Sequence, residues 1–335
     1  MPRPGLPKLI ATDLDGTLVR SDDSVSAYTH SVLDRVREAG IPVVGATGRG
    51  PRLTQMTRND IRAADYLVLA GGARVVDLTD PAGLVVLRDE RLDGDVLAEV
   101  LADLEAEAGP LTVMVEALDE PDAPLWGELD PTWRYPNAFE PRSRAECVGG
   151  RVIKAFVRSP GYHVDDLLAM ARRLVPPERV TFTQAGLNFV EINAAGVDKA
   201  TGLAVIAQAL GLDPAEVLVF GDMPNDVPMF RWAGWGCVAV ANAHPEVRAI
   251  ADEVTFSNDE DGVARYLNAL LSNGRSVPAA PGACTVPGVC TVPATSVTRA
   301  AVVQRSSVLT QAAGSPTKAG TDTARAGTDT QAQAA

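Results

Sequence analysis

Aromatic side chains are scarce in this chain: seven Phe, five Tyr and four Trp among 335 residues. A core of any size must therefore be built mainly from aliphatic residues. Cysteine is scarcer still. Cys147, Cys237, Cys284 and Cys290 form no CxxC pair and no zinc-ligand spacing, which argues against a zinc module. Cys237 lies in an apolar run and reads as a buried small hydrophobe. A reducing cytoplasm is the simplest compartment. The three histidines, His30, His163 and His244, have no Ser or Cys partner in a nucleophile–base pattern, so structural roles are expected for all three. No uninterrupted apolar run approaches the ~18 residues that span a bilayer, so no membrane contact is expected. Met1 to Lys8 lacks the apolar segment of a signal peptide. Basic residues are outnumbered, and the formal net charge of −13 argues against a nucleic-acid-binding surface.

Hydrophobic residues make up 46% and charged residues 22%, a globular composition with enough chain for two domains. The informative stretch is Leu9-Ile10-Ala11-Thr12-Asp13-Leu14-Asp15-Gly16-Thr17-Leu18. A short apolar run reads as a buried strand, and two aspartates follow it at once. In open α/β sheets, ligands bind beyond the carboxyl ends of the strands. Two carboxylates one residue apart offer hard oxygens suited to Mg²⁺, and an Asp can serve as a nucleophile that becomes an aspartyl-phosphate. Gly16 permits a sharp turn, and Thr17 could hydrogen-bond a phosphate oxygen. An Asp-rich turn held by its own hydrogen bonds is the plainer alternative.

Three more stretches follow in order. Ile41 to Ala46 reads as a second strand ending in Thr47-Gly48-Arg49, where a hydroxyl and free backbone N–H groups could hold phosphate. Lys199 opens a helix capped by Asp198. Gly221-Asp222-Met223-Pro224-Asn225-Asp226 puts two further carboxylates, four residues apart, after the strand Val217 to Phe220. Together with Asp13-Leu14-Asp15-Gly16-Thr17-Leu18, this ordered set resembles the haloacid dehalogenase (HAD) superfamily of phosphohydrolases. The long gap between the second and third stretches resembles its Cof-type subgroup, with a class IIB cap. The resemblance covers roughly residues 7 to 272.

It implies an α/β fold: a Rossmann-like parallel-sheet core with an inserted α/β cap domain. Residues 1–88 and 188–272 would form the core and 89–187 the cap. It implies that Asp13 is the nucleophile and Asp15 the acid and base, with Thr47, Gly48, Lys199 and Asn225 around the phosphoryl group. Mg²⁺ would be held by Asp13, Asp222 and the backbone carbonyl of Asp15, with Asp226 ordering metal-bound water. The activity implied is Mg²⁺-dependent phosphomonoester hydrolysis of a small phosphorylated metabolite such as a sugar phosphate. A phosphomutase of the same superfamily and a non-catalytic Mg²⁺-dependent binding protein are the alternatives. The family usually has Asn-Gly-Ala where this chain has Gly71-Gly72-Ala73, and Ser is common where Asp198 stands.

Within the insertion, Asp93 to Ala108 and His163 to Leu174 read as helices. Leu111 to Glu116, Arg151 to Arg158, Val180 to Gln184 and Asn188 to Ile192 read as strands. Between them, Leu118 to Arg144 is rich in Pro and charge and carries Trp126, Trp133, Tyr135 and Phe139. These are expected to pad the smaller domain's interior more than to touch substrate. From Asn273 to Ala335 the composition changes. No aromatic residue occurs there, and Cys-Thr-Val-Pro and Ala-Gly-Thr-Asp-Thr are each repeated. Such a segment buries too little apolar surface to offset its ordering entropy and reads as a disordered tail.

Overall fold

A computed structural model describes residues 5–128, 130, 133 and 139–273. The expected tail from 274 onward, and Tyr135, lie outside the described residues. The first segment alternates strands and helices: β1 (Leu9–Thr12), α1 (Ala27–Glu38), β2 (Val43–Ala46), α2 (Thr54–Asp60), β3 (Tyr66–Leu69), β4 (Arg74–Asp77) and β5 (Val85–Asp89). Ser26 caps α1 by accepting from the Thr29 N–H, which satisfies one of the donors a helix start leaves free. The two strands β4 and β5 form an antiparallel hairpin.

The chain then builds a second unit from α3 (Gly94–Ala108), β6 (Thr112–Glu116), β7 (Leu125–Gly127), β8 (Phe139–Pro141), α4 (Arg144–Cys147), β9 (Lys154–Arg158), α5 (Val164–Leu174), β10 (Val180–Thr183) and β11 (Val190–Ala194). It returns through α6 (Lys199–Leu210), β12 (Val217–Gly221), α7 (Val227–Trp232), β13 (Gly236–Ala239), α8 (Pro245–Ile250), β14 (Glu253–Val254) and α9 (Gly262–Asn273).

The larger sheet has the order β14-β13-β12-β1-β2-β3-β4-β5. It is parallel from β14 to β3, and β4 and β5 run antiparallel at one edge. Helices cover both faces of such a sheet, so its strands are apolar throughout rather than alternating. Each of β1, β2, β3 and β12 is buried along its whole length. The strand β1 pairs with β2 on one side and β12 on the other. Three functional loops therefore emerge at one sheet edge.

The smaller sheet has the order β10-β11-β9-β6-β7-β8 and is largely antiparallel. Its own core contains Leu97, Leu101, Val113, Val157, Leu167 and Ile192. The strand β11 pairs with both β9 and β10, so this unit runs through Ala194. The boundary expected after residue 187 is therefore moved to the far end of β11. The expected division had put residues 188–272, and with them β11, in the core, whereas β11 is a strand of the smaller sheet.

The return crossing packs closely on the larger unit. Gly72 has φ +115°, and a Cβ there would meet the Asp198 carbonyl oxygen at 2.1 Å. Only glycine fits both this backbone angle and this approach. On the next turn of chain, a Cβ at Gly202 would lie 2.5 Å from the Val68 side chain, so the bare Gly202 lets α6 lie close against β3.

Candidate active site

Asp13 follows β1 directly and is 4% exposed. Its Oδ1 accepts from the Lys199 ammonium at 2.5 Å, and the same Nζ donates to Asp226 Oδ1 at 2.6 Å. Lys199 is fully buried because Asp198 caps α6 and its first turn packs into the sheet edge. Burial pushes the Asp13 carboxyl up to about 6 against the opposing pull of Lys199. Burial disfavours the Lys199 charge, yet the two aspartates outweigh it and raise its pKa. A buried ammonium between two carboxylates stays charged for that reason.

Asp226 closes the tight turn after β12. Its Oδ2 accepts from the backbone N–H groups of Asp222 and Met223, both at 2.9 Å. Asp222 lies in hydrogen-bond contact with Asp13, and burial and its acidic neighbours raise its pKa well above the usual range. The Thr17 hydroxyl donates to Asp222 Oδ1 at 2.6 Å. Thr17 thus serves the carboxylate rather than the phosphate contact expected from its place after Gly16.

Asp13, Asp222 and Asp226 offer oxygens within 4.8 Å of one another. Like charges so close and so buried call for a cation, and an all-carboxylate donor set suits Mg²⁺. Both Asp226 oxygens already accept hydrogen bonds, which leaves Asp13 and Asp222 better placed for direct contact. The Asp15 carboxylate is not part of this trio. Arg49 holds it in a fork, Nε to Oδ2 at 2.8 Å and Nη2 to Oδ1 at 2.6 Å. Arg49 is anchored in turn by Asp60 at 2.5 Å, and these carboxylates raise its pKa over the effect of burial. Of the expected metal group, Asp15 can therefore contribute only through its backbone.

Thr47 is buried, and its Oγ1 accepts from the Arg49 N–H at 3.0 Å. Gly48 and Asn225 line a cleft with Asp13 and Asp15. Lys199 and Thr47 are buried and are not among its lining residues. The Asn225 Oδ1 is buried without a hydrogen-bond partner.

The far wall of the cleft comes from the smaller unit: Glu116, Trp133, Lys154, Phe156, Leu187 and Glu191. Lys154 is 1% exposed. It donates to the Gly48 carbonyl at 2.5 Å and to Glu191 Oε1 at 2.8 Å. Glu116 faces Arg52 at 3.8 Å, and burial raises its pKa. A Cβ on Gly50 would fall 1.8 Å from Glu116 Oε1, so any side chain at this point of the loop would displace the carboxylate from its present position. Trp133 meets Phe156 and Phe189 edge-on, with centroids at 5.0 and 5.5 Å. It packs the interior as expected and also reaches the cleft.

Sequence reasoning assigned no role to Arg49, Arg52, Glu116, Lys154 or Glu191. A signal for two of them was present. Lys154 in Val152-Ile153-Lys154-Ala155-Phe156 and Glu191 in Phe189-Val190-Glu191-Ile192 are charges inside apolar strands, and such charges must be paired.

Comparison with known proteins agrees with this geometry. A family model described as haloacid dehalogenase-like hydrolase matches residues 10–121 and 135–267. A 5-amino-6-(5-phospho-D-ribitylamino)uracil phosphatase of Bacillus subtilis, YwtE, is 28% identical over 79% of this chain and 98% of its own length. A phosphoglycolate phosphatase of Archaeoglobus fulgidus is 30% identical over 79% of this chain and 97% of its own. Among solved structures, a haloacid dehalogenase-like hydrolase from B. subtilis superposes with a TM-score of 0.67 at 25% identity, covering 78% of this chain and 99% of that one. A HAD subclass IIB sugar phosphatase superposes with a TM-score of 0.65 at 21% identity, covering 80% and 99%. With the ordered motifs meeting at one sheet edge beneath an inserted α/β unit, the chain belongs to the haloacid dehalogenase-like hydrolase family and carries the fold of its Cof-type, subclass IIB phosphatases.

Proposed function

We propose that this protein is a Mg²⁺-dependent phosphomonoester hydrolase working through an aspartyl-phosphate on Asp13. The observation that carries the reading is the buried Asp13 carboxylate, open to the cleft on one side and held by Lys199 at 2.5 Å on the other. Asp13 attacks phosphorus and the ester oxygen departs with a proton from Asp15. As a carboxylate, Asp15 then takes a proton from the water that cleaves the acyl-phosphate. The Arg49 fork, Nε to Oδ2 and Nη2 to Oδ1, aims the Asp15 carboxyl for both halves of the cycle. Lys199 keeps Asp13 ionised and offsets charge on the phosphoryl oxygens. Gly48 and Asn225 border those oxygens, and Thr47 braces the loop that carries Gly48.

Asp13, Asp222 and the Asp15 carbonyl would hold Mg²⁺, and Asp226 would orient what surrounds it. When bound, the ion neutralises phosphate charge. The inserted unit, running to Ala194, acts as a cap over the cleft. The substrate is a small phosphorylated metabolite, probed most directly with sugar phosphates. Two free cysteines, Cys147 and Cys237, are buried, in keeping with a cytoplasmic setting.

Release of inorganic phosphate from a phosphomonoester panel tests the reading. Activity should require Mg²⁺ and fall by at least about a thousandfold in Asp13→Asn, since an amide cannot form the acyl-phosphate. Release by that variant within tenfold of wild type would remove Asp13 as nucleophile.

A further inference from the structure

The cap side of the cleft carries two carboxylates that the hydrolysis reading does not use. Glu116 and Glu191 are each 1% exposed and line the cleft opposite Asp13 and Asp15. Their cationic neighbours are Arg52, at 3.8 Å from Glu116, and Lys154, at 2.8 Å from Glu191. Each carboxylate nevertheless keeps one oxygen, Glu116 Oε1 and Glu191 Oε2, that is buried and has no hydrogen-bond partner. Leaving a buried charged acceptor unmade is costly, so these oxygens call for a donor from whatever enters.

The charges decide which donor. The two carboxylates are already matched by two cations, so the wall does not demand a further positive charge. It is hostile to a third carboxylate. Phe156, Trp133 and Leu187 complete this wall and offer an apolar surface against which the C–H faces of a sugar or polyol can lie.

We infer that Glu116 and Glu191 form a leaving-group subsite that accepts hydrogen bonds from the hydroxyls of a neutral polyol or sugar and rejects carboxylate-bearing phosphomonoesters. The inference rests on the hydrolysis reading above and goes further by naming the chemistry of the leaving group. Lys154 and Arg52 are positioning residues here: Lys154 holds Glu191 by Oε1 and leaves Oε2 free, and Arg52 Nε stands 3.8 Å from Glu116 Oε1, beyond hydrogen-bond reach of that oxygen.

Matched substrate pairs test it. Sorbitol 6-phosphate and 6-phosphogluconate share a six-carbon skeleton and differ at C1, a hydroxymethyl in one and a carboxylate in the other. Glycerol 3-phosphate and 3-phosphoglycerate form the three-carbon pair. The full chain, assayed with Mg²⁺, should show kcat/KM at least about tenfold higher for the polyol member of each pair. In Glu116→Gln and Glu191→Gln that ratio should shrink severalfold, with the KM for 6-phosphogluconate falling. Melting curves followed by circular dichroism establish that each variant is folded.

Equal rates on both members of each pair by the wild type, or a preference for the carboxylate member, would overturn the inference even if neither variant folds. Folded variants that keep the wild-type ratio would overturn it too. Hydrolysis without discrimination removes this inference alone. Failure to hydrolyse any ester, p-nitrophenyl phosphate included, removes the hydrolysis reading and the subsite with it.

Discussion

Replacing Lys199 by Met should destabilise the protein strongly and in a pH-dependent way. Methionine keeps most of the side chain's length, so little cavity forms, and the lost ammonium dominates the effect. Lys199 is fully buried and touches Asp13 at 2.5 Å and Asp226 at 2.6 Å. Removing one partner of a buried ion pair costs about 3–5 kcal/mol, because the remaining charge stays behind uncompensated. For a body of this size, each kcal/mol moves the melting temperature by about 2–4 °C, so a drop on the order of 6–20 °C is expected near neutral pH. The sign of the pH dependence follows from Asp13. Its folded pKa lies at about 6, above the ordinary 3.8, so the folded state binds the extra proton and stability falls as pH rises through that interval. This shift alone amounts to roughly 3 kcal/mol. Without Lys199 the folded pKa climbs further, so the penalty should be largest near pH 8 and shrink as the pH is lowered toward 5. Differential scanning calorimetry in EDTA at pH 5, 6.5 and 8, with wild type beside the variant, measures this. A variant that melts with wild type at pH 8, or whose deficit grows on acidification, would refute the account of Lys199 as charge compensation for buried carboxylates.

Asp222→Ala should raise the Mg²⁺ concentration for half-maximal activity more than Asp226→Ala, because both Asp226 oxygens are already engaged by Lys199 and backbone N–H groups. Equal, unchanged midpoints in a Mg²⁺ titration would show that neither carboxylate serves the metal. Gly72→Ala should cost more than about 3 kcal/mol, combining unfavourable φ with a Cβ 2.1 Å from the Asp198 carbonyl. Gly71→Asn should be nearly neutral, since φ is +65° and the nearest atom to a Cβ there is Asn193 Nδ2 at 3.9 Å, an ordinary contact, and Asn tolerates that region. Thermal melts of the two glycine variants decide, and a Gly72→Ala protein melting within about 2 °C of wild type would contradict the packing described.

Much of the core was legible because buried parallel strands announce themselves as short apolar runs with functional residues at their ends. Leu9 to Thr12 and Val217 to Phe220 are such runs, and the structure sets them side by side. Asp198 and Lys199 were legible as cap and first helical residue, and α6 begins there. The partners of these residues were not. The sequence places Asp15 beside Asp13, but nothing local says that its carboxylate turns to Arg49 while Asp222 turns to Asp13. That choice depends on where three separate loops meet. The short strands Leu125–Gly127 and Phe139–Pro141 went unread because three residues carry too little periodicity. The cap wall was the least legible part, since Glu116, Lys154 and Glu191 come from three strands whose antiparallel order only the folded sheet reveals.

The central position of β1 has a consequence for how the chain is made. Its neighbour on one side, β2, ends at Ala46, but its other neighbour is β12, which begins at Val217. During synthesis at about 5–20 residues per second, β1 waits on the order of 10–40 s for that second neighbour to leave the ribosome. Throughout this interval one row of its backbone N–H and C=O groups is open, along a strand, Leu-Ile-Ala-Thr, that carries no charge. An apolar open edge is a template for pairing with another chain. A nascent chain halted anywhere in the inserted unit therefore carries a self-adhesive strand. Truncated products ending between residues 90 and 216 should accumulate as aggregates, whereas the full chain seals that edge from within.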